Sequence, residues 1–205
     1  MNTYKALANT VIINKKNRLI SYDDSLKLVG TGRSAFVFRI KSSNKAIKVF
    51  FPEFIYIAKE EAEIYKTLQK VSYYPSIHDS GFNYIVVDYI EGLTLFECMS
   101  HGELITSAHI KEIDHALSLA LDLGLNPSDI HLRNLFITSN GEIKIIDVAR
   151  FRQRKHCRQW HDLKKAYYQL YRKRFFPKKI AAPHLNIVAY LYKNGLLPSY
   201  RINKF

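Results

Sequence analysis

The sequence predicts an α+β chain in which antiparallel hairpins occupy the residues before 91 and helices dominate the rest. Three observations carry that expectation. Alternating apolar runs at 28–29, 36–40 and 45–50 are separated by Gly30-Thr31-Gly32-Arg33-Ser34-Ala35 and by Ser42-Ser43-Asn44, the pattern of successive hairpins. Ile57, Glu61, Ile64 and Leu68 recur at helical spacing within 54–70, and Ile110, Ile113, Leu117 and Leu121 within 106–124. Another hairpin, with strands at 135–138 and 142–146, turns at Ser139-Asn140-Gly141, where Asn and Gly tolerate positive φ. A chain of 205 residues holds one domain or two small lobes, and 47% hydrophobic residues exclude a disordered chain.

From the N-terminus, the runs 11–13 and 18–22 flank Asn14-Lys15-Lys16-Asn17 and predict a polar-tipped hairpin. Gly30 and Gly32 leave the tip of the next hairpin with few side chains, so backbone amides there can approach a phosphate closely. Lys48 lies between Ile47 and Val49 and points to the opposite face of its strand. Residues 75–81 read as a loop entering a strand, and 82–90 as one long strand or two. Thr106 or Ser107 caps the helix that Gly124 ends. Asp129 and Asn134 bracket a polar loop, and Asp147 closes the hairpin after it. Two carboxylates and an amide thus gather near one point, which suits metal ions carrying a phosphate. Residues 159–175 predict a helix with Leu163, Ala166, Tyr167 and Leu170 on one side. A last helix over 183–194 is stopped by Gly195 and Pro198.

These stretches, in this order, resemble the protein-kinase superfamily. The glycine hairpin resembles the glycine-rich loop, with Ala35 at the third glycine; Ala46-Ile47-Lys48 resembles the strand-borne lysine motif; Val86 to Gly92 resembles the hinge between lobes. The resemblance implies a reduced two-lobed kinase fold, divided at 1–91 and 92–205, with an antiparallel N-lobe sheet plus one helix and a small, mainly helical C-lobe. It implies an ATP site in which Gly30, Thr31, Gly32, Arg33, Ser34 and Ala35 cover the phosphates. Val37 and Ala46 lie at the adenine, Val87 guards the back of the pocket, and the backbone of Asp88, Tyr89 and Ile90 bonds the base. Of Glu60, Glu61 and Glu63, Glu61 leads the apolar stripe as the family's lysine-pairing glutamate does. Asp129 is then the catalytic carboxylate, and Asn134 and Asp147 hold Mg²⁺ or Mn²⁺.

The departures are informative. Pro127-Ser128 stands where the family has the arginine that reads an activation-loop phosphate, and Asp147-Val148-Ala149 replaces Asp-Phe-Gly. No Ala-Pro-Glu follows, and there is no room for an ordinary activation segment. His131 or Arg133 takes the place of the family's γ-phosphate lysine. Asp162 is either the carboxylate that braces the catalytic loop or a plain charge in the first turn of a helix. The short tail resembles RIO-type kinases and the small bacterial kinases near lipopolysaccharide kinases.

The implied activity is an ATP-dependent serine/threonine protein kinase capable of autophosphorylation. A small-molecule kinase and a nucleotide-binding pseudokinase scaffold are the alternatives. Residues 1–149 hold 16 Lys and Arg against 17 Asp and Glu, whereas residues 150–205 hold 15 against Asp162 alone. That asymmetry points to an anionic partner for the C-terminal part: RNA or the ribosome, an anionic membrane, or an acidic protein. Tyr167, Tyr168, Tyr171, Phe175 and Phe176 interleave with its cations and could stack bases, although aromatic residues at helical spacing are more often core. Cys98 and Cys157 lack metal-ligand spacing and read as idle thiols in a reducing cytosol. With no signal peptide and no 18-residue apolar run, the expected compartment is the cytoplasm.

Overall fold

The computed structural model describes residues 3–155 and 157–196. Helix α1, Thr3–Thr10, precedes a short ribbon of β1, Ile12–Ile13, and β2, Leu19–Ser21. The Asn14 side chain closes that ribbon by accepting the N–H groups of Lys16 and Arg18, so the polar-tipped hairpin is present. Five further strands form the main sheet: β3 Leu26–Thr31, β4 Ala35–Ile40, β5 Lys45–Phe50, β6 Ile77–Ser80 and β7 Tyr84–Asp88. Every pairing is antiparallel, in the order β3-β4-β5-β7-β6.

The register sets two unlike faces. Val37 pairs with Lys48, Lys48 with Ile85, and Ala46 with Val87; paired residues share a face. Phe36, Phe38, Ile47, Val49 and Val86 fall on the other face and pack with Ala8 and Val11 at α1. Alternation therefore keeps Lys48 out of an aromatic-rich core and presents it to helix α2, Ile55–Leu68. The buried residues of α2 are Ala58, Glu61, Ala62, Ile64, Tyr65 and Leu68, a stripe at three- and four-residue spacing.

The chain leaving α2 fastens it to the second half. The Tyr74 hydroxyl donates to the Ala116 carbonyl at 2.9 Å, and the Ile145 N–H donates to the Tyr73 carbonyl at 2.8 Å. That half contains β8 Gly92–Thr94, α3 Leu95–His101, α4 Ser107–Asp122, β9 Leu135–Thr138, β10 Ile143–Ile145, α5 Gln159–Ala166 and α6 Ala182–Lys193. Strands β8, β9 and β10 form a small antiparallel sheet. Thr94 with Glu97 and Thr106 with His109 cap α3 and α4 reciprocally. One hydrophobic cluster joins Ile64 and Leu68 of α2, Ile113 and Leu117 of α4, and Leu135, Ile145 and Phe151 around the hairpin. The architecture is the expected α+β one, compatible with a two-lobed kinase-like arrangement.

Several expectations are corrected. Residues 77–80, read as loop, form β6 because the Asp88 carboxylate and N–H both bond the Ser76 backbone, whereas 82–90 contain one strand, β7, as one of the two alternatives had it. Leu121 is exposed, and the small Ala116 and Ala120 take the buried positions of α4, letting that helix approach Tyr74 closely. The helix expected over 159–175 gives way at Tyr167 to a wider π-type turn, Tyr167–Tyr171. Tyr167 and Tyr171 stack at 5.5 Å, with hydroxyls on the Ile105 carbonyl and N–H. Their burial leaves Ala166 and Leu170 exposed. Pro198 lies outside the described residues, as do Arg201 and Lys204. Both cysteines are free, and among the described residues no helix is long and apolar enough to cross a membrane.

Gly92 opens β8 and pairs with Thr138 of the β9–β10 hairpin. Its φ is +157°, and a Cβ there would lie 2.4 Å from the Ile137 carbonyl oxygen of β9. Gly92→Ala must displace β8 from β9, and we expect a loss of about 2 kcal/mol or more. Chemical denaturation checks this; a midpoint equal to wild type contradicts the assigned register.

Candidate active site

Lys48 is the meeting point of three elements. Its Nζ lies 2.7 and 2.9 Å from the two Glu61 carboxylate oxygens and 2.9 Å from Asp147 Oδ1. An ammonium has three donors, and all three are matched here. The Lys48 side chain is 13% exposed and that of Glu61 1%, so α2 presents Glu61, and not Glu60 or Glu63, to the lysine. Glu60 is exposed, and Glu63 pairs with Lys66 at 2.8 Å.

The electrostatics follow from that geometry. Burial works against the Lys48 ammonium, but the Glu61 and Asp147 carboxylates outweigh it and hold lysine above its usual range. Burial pushes the Glu61 carboxyl up to about 7; Lys48 opposes the rise and Asp147 adds to it. Lys48 holds Asp147 below the ordinary carboxylate range, against the effect of burial. The Tyr65 hydroxyl accepts the Asp147 N–H at 3.3 Å. Tyr65 lies one turn after Glu61, on the same face of α2, so one helix positions both the lysine and Asp147.

The loop after α4 supplies the other carboxylate. Asp129 and Asp147 have φ of +61° and +58°, a left-handed conformation that costs a non-glycine residue about 1 kcal/mol or more and recurs at functional sites. The Asn134 Nδ2 donates to the Asp129 carbonyl at 3.2 Å, and the Ile146 N–H donates to the Asn134 carbonyl at 2.9 Å. Loop, β9 and the residues after β10 are thereby tied into one unit. Among the described residues nothing donates to Asn134 Oδ1, and the Asp147 side chain is 45% exposed. Hard oxygen donors of this kind fit Mg²⁺ or Mn²⁺. The described residues contain no cluster of three or more His, Cys, Asp or Glu suited to a metal.

The residues expected to face the nucleotide lie on β3, β4, β5 and β7 and in the turns beside them. Val37, Ala46 and Val87 share the Lys48 face of the sheet. Gly30 belongs to β3, opposite Val37, and the Gly32 N–H is spent on the Ala35 carbonyl at 2.9 Å. Thr31 ends β3, Ala35 is buried, and the Ser34 carbonyl accepts the Phe51 N–H. Among the described residues the Arg33 and Ser34 amides have no acceptor. At the hinge, the Asp88 and Tyr89 N–H groups are committed to the Ser76 and Asn44 carbonyls. Ile90 retains an N–H without an acceptor among the described residues, which narrows the expected hinge donor to one.

Arg33 and Arg150 both reach Asp129 Oδ2, at 2.9 and 3.5 Å; neither contact is legible in the sequence. Arg133 stacks on Phe96 at 3.4 Å and donates to Asn186 Oδ1 at 2.8 Å, so its guanidinium is already engaged. Of the two residues weighed against the family's lysine, His131 is the one that feels Asp129 and Asp147; burial lowers its pKa and the two carboxylates oppose that. Asp162 does not brace the catalytic loop: it accepts from the Tyr192 hydroxyl at 2.9 Å, far along the chain in α6. The bracing falls to Asn126, whose backbone N–H donates to the Phe151 carbonyl and whose Nδ2 donates to the carbonyls of Gln153 and Lys155.

No family model matches this sequence. A curated relative from Bacillus subtilis (strain 168), named "Putative serine/threonine-protein kinase YrzF", is 47% identical over 194 residues, covering 92% of this chain and 90% of that protein. The chain belongs to the kinase-like family that includes YrzF.

Proposed function

We propose that the chain transfers the γ-phosphoryl group of ATP to serine or threonine hydroxyls of proteins, itself included. The observation that carries the proposal is Lys48, fully hydrogen-bonded between Glu61 and Asp147 on the face that also carries Val37, Ala46 and Val87. In this reading Lys48 is held as a fixed cation for the nucleotide phosphates, and the Arg33 and Ser34 amides cover them. The Ile90 N–H meets the base. Asp129 orients the incoming hydroxyl and takes its proton. A divalent ion, Mg²⁺ or Mn²⁺, held by Asn134 and Asp147 would neutralise phosphate charge. Such a site works by positioning and electrostatics.

The finer likeness to RIO-type and lipopolysaccharide-kinase-like enzymes belongs to the same proposal, supported by the eleven-residue span 148–158 between Asp147 and α5. So do a cytoplasmic location and an anionic partner for the basic last quarter. The intact Lys48, Asp129, Asn134 and Asp147 set speaks against a scaffold without activity.

Lys48→Ala should lower phosphoryl transfer by at least about a hundredfold. It also leaves the Glu61 carboxylate buried without its partner, at about 3 kcal/mol. Adding Glu61→Gln should recover most of that stability and none of the activity. Labelled-ATP assays beside melting curves test this; activity restored in the double variant overturns the site assignment.

Activity should also be independent of prior phosphorylation. Ser128, in place of the phosphate-reading arginine, is fully buried, with its hydroxyl on the Asn126 carbonyl at 2.9 Å. Phosphatase-treated and untreated protein should give equal initial rates; a large loss regained on preincubation with ATP contradicts the reading.

A further inference from the structure

Asp129, the carboxylate assigned to the incoming hydroxyl, is covered by cations from both sides. Arg33 comes from the glycine hairpin and Arg150 from the segment after Asp147, and both use the same oxygen, Oδ2. Arg33 and Arg150 are 64% and 54% exposed, and Asp129 is 20% exposed. Ion pairs this exposed are worth less than about 1 kcal/mol, so a competing anion can take either guanidinium away. While both remain, the oxygen that must accept a hydroxyl proton is occupied.

The Arg150 segment has a fixed backbone and a free, uniformly basic surface. Phe151 is fully buried and packs edge-on against Tyr74 at 6.0 Å. Asn126 holds residues 151–155 through three bonds to the Phe151, Gln153 and Lys155 carbonyls. This staples the segment to a residue three positions before Asp129. Arg150, Arg152, Arg154 and Lys155 are exposed, and residues 150–155 include no acid. Among the described residues no carboxylate lies within ion-pair distance of Arg154 or Lys155. Arg150 is therefore presented at the Asp129 carboxylate, with Arg154 and Lys155 following it on a segment tied to Asn126.

We propose that the phosphate acceptor is an acidic protein segment. Its carboxylates flank the hydroxyl and pair with Arg150, Arg154 and Lys155, drawing Arg150 off Asp129. The inference rests on the phosphotransferase reading above and names its acceptor class. It also chooses among the three anions that the charge asymmetry allows. Of the aromatic residues that could have stacked RNA bases, Tyr167 and Tyr171 are buried, and the exposed Tyr168 and Phe175 lie outside the 150–155 segment. The cations beside Asp129 carry no exposed large apolar side chain among them for a membrane to take up.

The test compares three serine peptides, flanked by Asp and Glu, by Ala, or by Lys, in wild type and in the Arg154→Glu/Lys155→Glu variant. We expect kcat/KM in wild type to favour the acidic peptide over the neutral one by about tenfold or more, falling with added salt. The double variant should lose that preference while ATP binding is unchanged. Equal use of the three peptides, or a preference that survives the double reversal, overturns the inference while leaving phosphotransfer standing. RNA or phosphatidylglycerol vesicles bound at physiological salt and not displaced by the acidic peptide overturn it too, by assigning the cations to another anion. Absence of any ATP binding or turnover instead defeats the phosphotransferase reading, and the inference with it.

Discussion

The contact on which the rest of the structure depends is the ion triad of Lys48, Glu61 and Asp147, in which Lys48 and Glu61 are buried. It ties a strand, a helix and the end of a hairpin that are far apart in sequence: Lys48 and Asp147 are separated by 99 residues. Desolvating a carboxylate and an ammonium costs several kcal/mol each, and well-packed apolar residues of similar volume would serve stability as well or better. The triad is therefore weak as a source of stability and strong as a fixer of position. Its geometry leaves no donor of Lys48 unused, so the lysine cannot drift without stranding a carboxylate that is 1% exposed.

Apolar packing supplies what the polar site costs. The cluster shared by α2, α4 and the β9–β10 hairpin is continuous, so the helix that carries Glu61 and Tyr65 is seated on the same core as the hairpin that carries Asn134 and Asp147. Burying one leucine- or phenylalanine-sized side chain is worth about 1.5–3 kcal/mol, and this cluster contains many. The two left-handed aspartates, costing about 1–3 kcal/mol each, are easily offset on that scale. Asp129 and Asp147 are held in this conformation beside Ile130 and Val148, which are buried in the core.

The parts legible in the sequence were those fixed by short-range spacing. Alternation around Lys48, the stripe led by Glu61 and the turn at Gly141 depend only on the local period of strand, helix or hairpin. Family order then selected Glu61 from three neighbouring glutamates. Helix α1 was not legible because only Ala8 among its eight residues is buried, which leaves a weak stripe. The bond from the Gly32 N–H to the Ala35 carbonyl was not legible, because no local pattern encodes it. Arg133 and Asp162 were placed by linear position, whereas their actual partners, Asn186 and Tyr192, lie 53 and 30 residues away. The Arg33–Asp129 contact spans 96 residues, and no local pattern encodes it.

The account assigns the incoming hydroxyl to Asp129 and the nucleotide to groups other than Asp129. The most direct measurement is single-turnover transfer from γ-labelled ATP in wild type and Asp129→Asn, alongside the affinity of each protein for ATP with Mg²⁺. The account predicts closely similar nucleotide affinity and transfer at least about a hundredfold slower in the variant. Transfer at the wild-type rate by Asp129→Asn would contradict it.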